Sequence, residues 1–538
     1  MKLCKRDIRE NKSEWLSKGY MLPEFDMEAV GRATHDAPEW IHFGAGNIFR
    51  AFIASTVQRL LNEGRLQKGL IVAEGYDYEI IDRAYRPFDD LCLSVTLKAE
   101  GSIEKMIVAS VTESLKVDPA DGDYARIREI FASPSLKMAS FTITEKGYNI
   151  KSADGAVFPA IEKDFAAGPD GAESYIGKIA ALLYARYQAG ALPVSLVSMD
   201  NCSHNGSRLF DAVTAFAAEW VRRGLVDAGF AGYVNDRAKV GFPWTMIDKI
   251  TPRPDAKVIE MVRKDGFTDT DAVKTAKGTF VAPFVNAEET QYLVIEDWFP
   301  NGRVEIGGAY GVMYADRETV DKVERMKVCT CLNPLHTALA VYGCLLGYTL
   351  ISEEMKDPQL KKMVEIIGYR EGLPVVVDPG VLDPREFIDT VVKVRIPNVF
   401  MPDTPQRIAT DTSQKLAIRF GETIKAYQKR PDLSVSDLKI IPLVFAGWLR
   451  YVMGVDDNGQ PFAPSDDPML AQIQGALAGI RLGDAGPFGE KLHPVLSNER
   501  IFGVDLYAAG LGELTENYFA QLVAGPGAVR RTLQKYLA

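Results

Sequence analysis

A lysine, an asparagine and a histidine lie close together in the stretch "ERMKVCTCLNPLH", as Lys327, Asn333 and His336, and Glu324 opens the stretch. Asn333 and His336 are three residues apart, so a helix places them on one face. A lysine, an amide and an imidazole around one oxygen would supply a proton acceptor, a donor to developing negative charge and an orienting group. The alternative interpretation is that His336 is a hydrogen-bonded core residue of an apolar helix.

A second polar cluster follows the apolar stretch "LPVSLV" and consists of Asp200, Asn201, His204 and Asn205 in "SMDNCSHNG". In open α/β sheets, ligands bind beyond the carboxyl ends of the strands. These side chains are therefore candidates for orienting a substrate. Alternatively, they only satisfy the backbone of their own turn, as Asx residues often do.

A glycine-rich turn, Gly44-Ala45-Gly46, follows a predicted strand and precedes a predicted helix. Such glycines let the backbone approach a pyrophosphate, which accepts hydrogen bonds from N–H groups at the helix start. Two glycines also occur in strand-to-helix turns for geometry alone. Glu74, with Asp77 just behind it, ends the next predicted strand and would accept hydrogen bonds from a ribose. It lies 30 residues after Gly44, farther than the usual spacing of about 20.

Composition excludes several classes of function. With 538 residues the chain is expected to form more than one domain, and its net charge of −10 argues against nucleic acid or an anionic membrane as the main partner. Cys329-Thr-Cys331 is one residue short of a CxxC motif, and the six cysteines form no regular framework. We expect reduced thiols and no metal site. The charged N-terminus and the lack of an uninterrupted apolar run of about 18 residues predict a cytoplasmic protein without a membrane segment.

The elements that must position these groups form two patterns. Apolar stretches predicted as strands begin near Trp40 and at 69–75, 91–97, 105–111, 137–144 and 192–200, and helical stretches separate several of them. Strands that alternate with helices predict an α/β domain with a mostly parallel, Rossmann-type sheet. Long helical patterns follow from about residue 320. We therefore predict a polar N-terminal extension (1–36), an NAD-binding Rossmann-type domain (37–312) and a mostly α-helical C-terminal domain that carries substrate and catalytic groups (313–538).

Several strings in a fixed order carry a family resemblance. They are "HFGAGNIFRAF", "TITEKGY", "SMDNCSHNG", "FPWTMIDKITP", "IEDWFPNGR", the stretch from Lys327 to His336, "PDTPQRIATDTSQK" and "WLRYVMGVDDNG". From about residue 38 the chain resembles the polyol-specific long-chain dehydrogenases, the mannitol dehydrogenase family. The glycine turn of that family has the form GxGxxxR with an aromatic or similar residue in place of a third glycine. The resemblance therefore implies an NAD(H) site that includes Asn47, Ile48 and Phe49 beside the three residues of the turn.

The resemblance also implies a reaction and a set of roles. Members of the family are metal-independent, NAD(P)-linked oxidoreductases that interconvert secondary alcohols and ketones of open-chain sugars. Carried over by position, Lys327 is the general base, Asn201 and Asn333 flank the developing alkoxide, His336 binds and orients substrate, Glu324 and Glu145 line a proton route, Asp248 forms a substrate wall, and Arg407 and Lys415 reach the far end of the sugar. The acids Glu74 and Asp77 imply NAD(H) rather than NADP(H).

One spacing departs from the family pattern. Lys327 precedes Asn333 by six positions and His336 by nine, whereas the family has five and eight. One extra residue turns a side chain by about 100° around a regular helix. We therefore predict an irregularity between Lys327 and Asn333, either a π-bulge that absorbs the extra residue or a regular helix that begins after Lys327. The remaining alternative is that Lys327 is not the base.

The substrate implied by the resemblance is a hexuronate. The string pattern and the length are closer to enzymes that interconvert D-fructuronate and D-mannonate, and a carboxylate substrate suits an arginine. Mannitol with fructose and altronate with tagaturonate are the alternatives. A hypothesis of a different class is a non-catalytic, dinucleotide-responsive binding protein, in which the shifted lysine marks lost catalysis.

Overall fold

The structure is a computed structural model and describes residues 1–152, 154–400 and 402–538. Its strands are β1 (Tyr20–Met21), β2 (Trp40–Phe43), β3 (Leu70–Glu74), β4 (Cys92–Leu97), β5 (Ile103–Val108), β6 (Val111–Lys116), β7 (Met138–Phe141), β8 (Val194–Ser198), β9 (Val240–Gly241), β10 (Thr245–Asp248), β11 (Val273–Lys274), β12 (Phe280–Val281), β13 (Phe284–Glu288), β14 (Tyr292–Glu296) and β15 (Val312–Ala315).

Its α-helices are α1 (Lys5–Glu10), α2 (Lys12–Ser17), α3 (Met27–Asp36), α4 (Ser55–Asn62), α5 (Glu79–Ala84), α6 (Asp123–Ala132), α7 (Pro159–Ala167), α8 (Tyr175–Gln188), α9 (Asn205–Arg222), α10 (Gly229–Asn235), α11 (Ala256–Lys264), α12 (Arg317–Met326), α13 (Asn333–Leu346), α14 (Ile351–Glu354), α15 (Pro358–Glu365), α16 (Pro384–Thr390), α17 (Pro405–Ile408), α18 (Glu422–Lys429), α19 (Ile440–Val452), α20 (Leu470–Ala476), α21 (Gly489–Leu496), α22 (Glu499–Phe502), α23 (Gly512–Leu522) and α24 (Ala528–Leu537). Segments with π-helical hydrogen bonding are Phe49–Ala54, Lys327–Cys331, Ile366–Gly372, Val391–Arg395 and Ala417–Gly421.

The chain divides into two compact units. Unit 1 comprises Met1–Lys98 and Ser102–Asp321, and unit 2 comprises Lys322–Ala538 with the short segment Ala99–Gly101. The division lies inside α12, later in the chain than the predicted boundary at 312. The reason is that β15 pairs with β14 in a small sheet of unit 1.

A six-stranded parallel sheet is the centre of unit 1, with the strand order β6-β3-β2-β7-β8-β9. Both of its faces are buried. In β3, Ile71 and Ala73 belong to one hydrophobic cluster, while Leu70 and Val72 belong to the other. Burial on both faces explains why these strands are continuous apolar runs in the sequence. The predicted α/β class with a Rossmann-type sheet is confirmed.

The strands predicted at 91–97 and 105–111 lie largely outside this sheet. They correspond to β4 and β5, which form an antiparallel hairpin in a second sheet with the order β1-β5-β4-β13. Only the last residue of the second predicted strand, Val111, belongs to the six-stranded sheet, where it begins β6. The connection at 98–102 is too short for the crossover that parallel neighbours need. The apolar content of the sequence therefore predicted that these strands exist, but the length of the loop between them determines that they pair antiparallel.

The first 36 residues are a folded part of unit 1 and not an extension. They contain α1, α2 and α3, and β1 pairs with β5. Trp15 is fully buried and packs edge-on against Tyr20 and Phe267, with ring centroids 5.0 and 6.0 Å apart. Most residues of this segment are charged or polar, but several of its apolar residues are buried and complete the core.

Unit 2 is built around two buried helices. α13 packs against α19, and the Tyr342 hydroxyl donates to the Leu443 carbonyl across 2.7 Å. Every residue of α19 is buried. Among the described residues, the stretch Arg317–Leu346 is long and apolar enough to span a membrane, and 78% of its most apolar window is buried inside the protein. The buried core helix of a folded domain has the same composition, so the packing of this stretch inside the protein explains its apolar character.

Glu354, the last residue of α14, is fully buried, and neither carboxylate oxygen has a hydrogen-bond partner among the described residues. It packs against Gly343 of α13, where a Cβ would lie 1.8 Å from Glu354 Oε1. Burial, followed by the charges of Asp357 and Asp403, raises the pKa of Glu354 from 4.5 to about 9. The folded protein therefore retains a proton that the unfolded chain releases.

Glu354→Gln is expected to raise the free energy of unfolding by an amount that grows with pH. Between about pH 4.5 and 9 the folded state binds more protons at this site, so each pH unit costs the wild type up to about 1.4 kcal/mol relative to the neutral variant. Denaturant unfolding at pH 5 and pH 8 measures the difference. Glu353→Gln, which removes an exposed pair with Lys356, is the control. An equal gain at both pH values would contradict the prediction.

Candidate active site

The glycine turn connects β2 to the helix that starts with the π-helical segment Phe49–Ala54. Gly44 has a φ of +109°, and a Cβ there would lie 2.3 Å from the Thr142 carbonyl oxygen. Only glycine fits this position without strain. A Cβ on Gly46 would meet nothing within 4 Å. Gly44 is thus required by the fold, while Gly46 leaves open space over the turn.

Phe49 is fully buried and stacks on His42, with ring centroids 4.4 Å apart and an angle of 13° between the planes. Burial lowers the pKa of His42 to about 3, so the ring stays neutral. Its nitrogens lie 2.7 and 2.9 Å from the hydroxyl oxygens of Ser140 and Thr142. Phe49 therefore supports the turn from behind through packing. Asn47, half-buried, accepts a hydrogen bond from Arg50 at 2.8 Å.

The two acids at the end of β3 are buried and already accept hydrogen bonds within the protein. Glu74 Oε2 accepts from the Ala45 N–H at 2.8 Å, and its Oε1 accepts from the N–H groups of Tyr76 and Asp77 at 2.8 and 3.1 Å. Asp77 Oδ2 accepts from the Thr275 hydroxyl at 2.7 Å. Glu74 thus joins the end of β3 to the glycine turn. Glu74 Oε1 is saturated by its two donors, whereas Glu74 Oε2 and Asp77 Oδ2 each keep a lone pair for a ligand hydroxyl.

A cavity of about 590 Å³ lies over this turn, and Gly44, Gly46, Glu74 and Asp77 are among its lining residues. Ile80, Ile161 and Ile176 give the cavity an apolar wall, and polar residues such as Lys146 and Asn149 line other parts of it. The cavity lies at the carboxyl ends of parallel strands, where open α/β sheets bind ligands, and its volume suits a small-molecule site. A turn open at Gly46, acids at one side and an apolar wall fit a dinucleotide.

Asp200 holds the loop after β7 in place. Its carboxylate accepts from the N–H groups of Ile143 and Thr144, both at 2.9 Å, and from the Tyr148 hydroxyl at 2.5 Å. Thr144 has a φ of +66°, a conformation that costs free energy unless the surroundings stabilise it. Asp200 therefore supports the backbone, as the alternative interpretation of this cluster proposes.

Asn205 is also engaged within unit 1. It is buried, and its amide donates to Thr245 and to the Asp200 carbonyl. His204 stacks on Trp244, with ring centroids 4.1 Å apart. Asn201 is exposed in the same turn, as is His204. Asp200 and Asn205 therefore hold the turn, whereas Asn201 and His204 lie at its surface.

Glu145 and Asp248, two further predicted site residues, also lie in unit 1. Glu145 follows the strained Thr144 and pairs with Arg208 at 3.0 Å, and half of its side chain is exposed. Asp248 ends β10, is buried, and lies opposite Tyr292 in the sheet. Neither belongs to the cavity over the glycine turn.

The predicted irregularity between Lys327 and Asn333 is present. Regular helix ends at Met326, the segment Lys327–Cys331 is π-helical, and the Leu332 N–H donates to the Lys327 carbonyl across 3.1 Å. Leu332 leaves helical geometry with φ −130° and ψ −62°, and α13 begins at Asn333. A π turn holds one more residue than an α turn. The extra residue in the spacing is therefore absorbed before α13 starts.

The residues around this break differ in exposure. Lys327 is buried, whereas Asn333 and His336 are half-buried in the first turns of α13, and Glu324 is half-buried on α12. The Thr337 hydroxyl donates to the Asn333 carbonyl at 2.9 Å. Asn333 and His336 therefore share one end of one helix, as their spacing predicts.

Arg407 and Lys415 both have partners within unit 2. The Arg407 guanidinium donates to both oxygens of Asp403, at 2.7 and 2.6 Å, and its side chain is 71% exposed. The Lys415 ammonium donates to the carbonyls of Ile408 and Thr410. Burial and then the charge of Arg419 lower the pKa of Lys415. Arg419, which belongs to none of the quoted motifs, was not among the predicted site residues.

Comparisons with known proteins cover both units. A family model described as the mannitol dehydrogenase Rossmann domain matches residues 38–308, and one described as the mannitol dehydrogenase C-terminal domain matches residues 319–522. The chain belongs to the mannitol dehydrogenase family. The D-mannonate oxidoreductase of Thermotoga maritima is 51% identical to this family member over 531 residues, which are 98% of each chain. Mannitol dehydrogenase DSF1 of Saccharomyces cerevisiae is 28% identical over 491 residues, 90% of this chain and 88% of that one.

Among solved structures, Pseudomonas fluorescens mannitol 2-dehydrogenase in a ternary complex with NAD and D-mannitol matches with a TM-score of 0.69 and 25% identity. The match covers 100% of this chain and 99% of that one. A substrate-free D-sorbitol dehydrogenase matches with a TM-score of 0.75 at 21% identity and shares the fold. These matches confirm the predicted family, its fold class and the class of NAD-dependent oxidoreductase.

Gly44→Ala and Gly46→Ala are expected to act in different ways on this family member. The first forces an alanine into a positive φ and against Thr142, which should cost about 1–3 kcal/mol of stability from the backbone conformation alone. The second places a methyl group over the open turn, so NADH should bind more weakly with an unchanged melting temperature. Thermal unfolding and NADH fluorescence titration measure the two effects. Unchanged NADH affinity in Gly46→Ala would contradict a dinucleotide bound against this turn.

Proposed function

We propose that this protein is an NAD-dependent D-mannonate oxidoreductase that interconverts D-fructuronate plus NADH with D-mannonate plus NAD. The observation that carries the proposal is the 51% identity to the Thermotoga maritima D-mannonate oxidoreductase over 98% of both chains. The cationic side chains Lys415 and Arg419 in unit 2 support a substrate with a carboxylate.

Lys327 is the proposed general base. The chemistry that the nicotinamide supplies when bound is hydride transfer to or from the reacting carbon. In the oxidation direction, the Lys327 amine takes the proton of the hydroxyl on that carbon, and in reduction it returns the proton to the same oxygen. Its burial and its position in a π-helical break, a feature that often marks functional sites, support the role.

Asn201 and Asn333 are the proposed donors to the reacting oxygen. Amide N–H groups stabilise the partial negative charge on that oxygen and so take the part that a metal ion has in other alcohol dehydrogenases. Within the described ranges, no group of three or more His, Cys, Asp and Glu side chains is arranged to hold a metal. His336, one turn after Asn333 on α13, would orient the substrate.

The remaining predicted site residues complete the proposal. Glu324 and Glu145 line a proton route, Asp248 forms a wall of the substrate site, and Arg407 and Lys415 bind the far end of the sugar. The cofactor lies against Gly44, Ala45, Gly46, Asn47 and Ile48, with Phe49 packed behind the turn. Glu74 and Asp77 would repel a 2′-phosphate and so favour NAD over NADP. We expect a cytoplasmic enzyme with a small sugar-acid substrate and neither a nucleic-acid nor a membrane partner.

A neutral polyol is the second candidate substrate. It is favoured by the likeness to the Pseudomonas fluorescens mannitol 2-dehydrogenase, whose structure contains D-mannitol. The identity to that protein is half the identity to the D-mannonate oxidoreductase, so the sugar acid is preferred.

A substrate panel tests the proposal. Oxidation of NADH is followed with D-fructuronate, D-tagaturonate and D-fructose, and oxidation of the corresponding alcohols is followed with NAD. We expect kcat/KM to be highest for D-fructuronate. A preference for D-fructose or D-tagaturonate would replace the proposed substrate, and no turnover of any of the three would favour a binding protein.

A further inference from the structure

Arg419 is a cation that forms no ion pair with the described acidic side chains. It lies half-buried on the π-helical segment Ala417–Gly421, and burial lowers its pKa to about 10, so it is cationic at neutral pH. Its guanidinium makes one hydrogen bond, from Nη1 to the Thr337 hydroxyl oxygen at 2.5 Å. Among the described residues, no carboxylate lies within 4 Å of it.

Lys415, one helical turn earlier, also forms no ion pair with the described acidic side chains. Its ammonium is held by two backbone carbonyls, and no described carboxylate lies within 4 Å of it either. Arg407, the third cation of the region, is different because Asp403 holds it in a bidentate pair. Arg419 and Lys415 therefore form a pair of cations that make no ion pair within 4 Å among the described residues, with Asp411 and Asp467 acting on Lys415 only from farther away. Arg407, in contrast, is paired with Asp403.

The cationic pair is joined to the predicted substrate groups of unit 2. Thr337, the acceptor for Arg419, follows His336 directly and donates to the carbonyl of Asn333. The segment Ala417–Gly421 also packs against the π-helical segment Lys327–Cys331. Arg419 is therefore fixed next to the helix start that carries Asn333 and His336.

A half-buried cation without a counterion costs free energy that an anionic ligand can recover. A guanidinium with free donors suits a carboxylate, because it offers two parallel N–H groups in a rigid plane. A neutral polyol end offers hydroxyl groups and leaves the charge unbalanced. We infer that Arg419, assisted by Lys415, binds the carboxylate of a sugar-acid substrate and selects sugar acids over neutral sugars. The inference rests on the proposed function and names the group that sets its specificity.

The test compares Arg419→Leu with the wild type on one sugar acid and one neutral ketose. The sugar acid is the better of D-fructuronate and D-tagaturonate for the wild type, and the ketose is D-fructose. We expect kcat/KM for the acid to fall about 10- to 100-fold, the range that one or two charge-assisted hydrogen bonds give. The kcat/KM for D-fructose should change by less than about threefold, which is smaller than the change expected from the loss of one charge-assisted hydrogen bond. Arg419→Lys should recover part of the loss on the acid.

Two matched variants separate recognition from structure. Thr337→Val removes the hydrogen-bond partner of Arg419 and keeps the cation, so acid and ketose should be affected alike. Arg407→Ala removes a cation that Asp403 already neutralises, so it should lower the preference for the acid less than Arg419→Leu does. Thermal unfolding and NADH affinity are measured for every variant to show that the fold and the cofactor site persist.

The outcomes distinguish this inference from the proposed function. If D-tagaturonate is the better acid and Arg419→Leu reduces its use selectively, the proposed substrate fails and the inference stands. Equal losses on acid and ketose, or a selective loss in Thr337→Val as large as that in Arg419→Leu, would overturn the inference. A wild type that uses D-fructose better than either acid would overturn it as well.

Discussion

Lys327→Ala is expected to lower kcat by about a thousandfold or more, within the range that positioned proton transfer contributes. The variant removes the proposed base but leaves the glycine turn, in unit 1, intact. NADH affinity should therefore stay within about twofold of the wild type, since the loss belongs to the chemical step. Single-turnover measurements with saturating NADH and D-fructuronate, together with a fluorescence titration of NADH, check both parts.

Arg325→Ala is the control for this variant, because Arg325 is an exposed cation two positions earlier on α12. It should keep kcat near the wild-type value. Added primary amines should restore part of the activity of Lys327→Ala, because a free amine can replace the missing base. A loss of less than about tenfold in Lys327→Ala, below the usual contribution of a general base, would mean that the base lies elsewhere.

Asn333→Ala and Asn201→Ala are each expected to lower kcat by about a hundred- to a thousandfold, the cost of losing one donor to a developing oxyanion. The backbone carbonyl of Asn333, which accepts from Thr337, is retained in the variant. The start of α13 should therefore persist. Steady-state kinetics and thermal unfolding measured on the same preparations check the effect.

Asn205→Ala provides the contrast for Asn201→Ala within a single turn. Asn205 is buried and bonded to Thr245 and Asp200, so its removal should lower the melting temperature. The exposed Asn201 should affect turnover without that loss of stability. If Asn201→Ala keeps full activity and Asn205→Ala does not, the amide of Asn201 has no role in the reaction.

Local pattern predicted much of the fold. The strands at 40–43, 70–74 and 194–198 are buried on both faces, and such strands appear in a sequence as short apolar runs. Gly44 was recognisable because a sharp strand-to-helix turn needs its positive φ. The break before Asn333 was predicted from spacing, since one extra residue would otherwise turn Lys327 away from the face that Asn333 and His336 share.

Partners distant in the chain decided the rest. Asp200 was a candidate for substrate contact until the structure showed its carboxylate bonded to residues 143, 144 and 148. Trp15 belongs to a segment of mostly polar residues, and its burial depends on Tyr20 and Phe267. Periodicity and composition carry no information about which distant groups meet.

The sequence by itself determined the family, the order of the strands and helices along the chain, and the turn that suits a dinucleotide. Only the tertiary structure decided which charges are already balanced. Arg407 and Arg419 belong to one segment of the sequence, yet Asp403 pairs with the first, and no described carboxylate lies within 4 Å of the second. The physical reason is that a side chain's charge is local, whereas its counterion and its desolvation depend on every element packed around it.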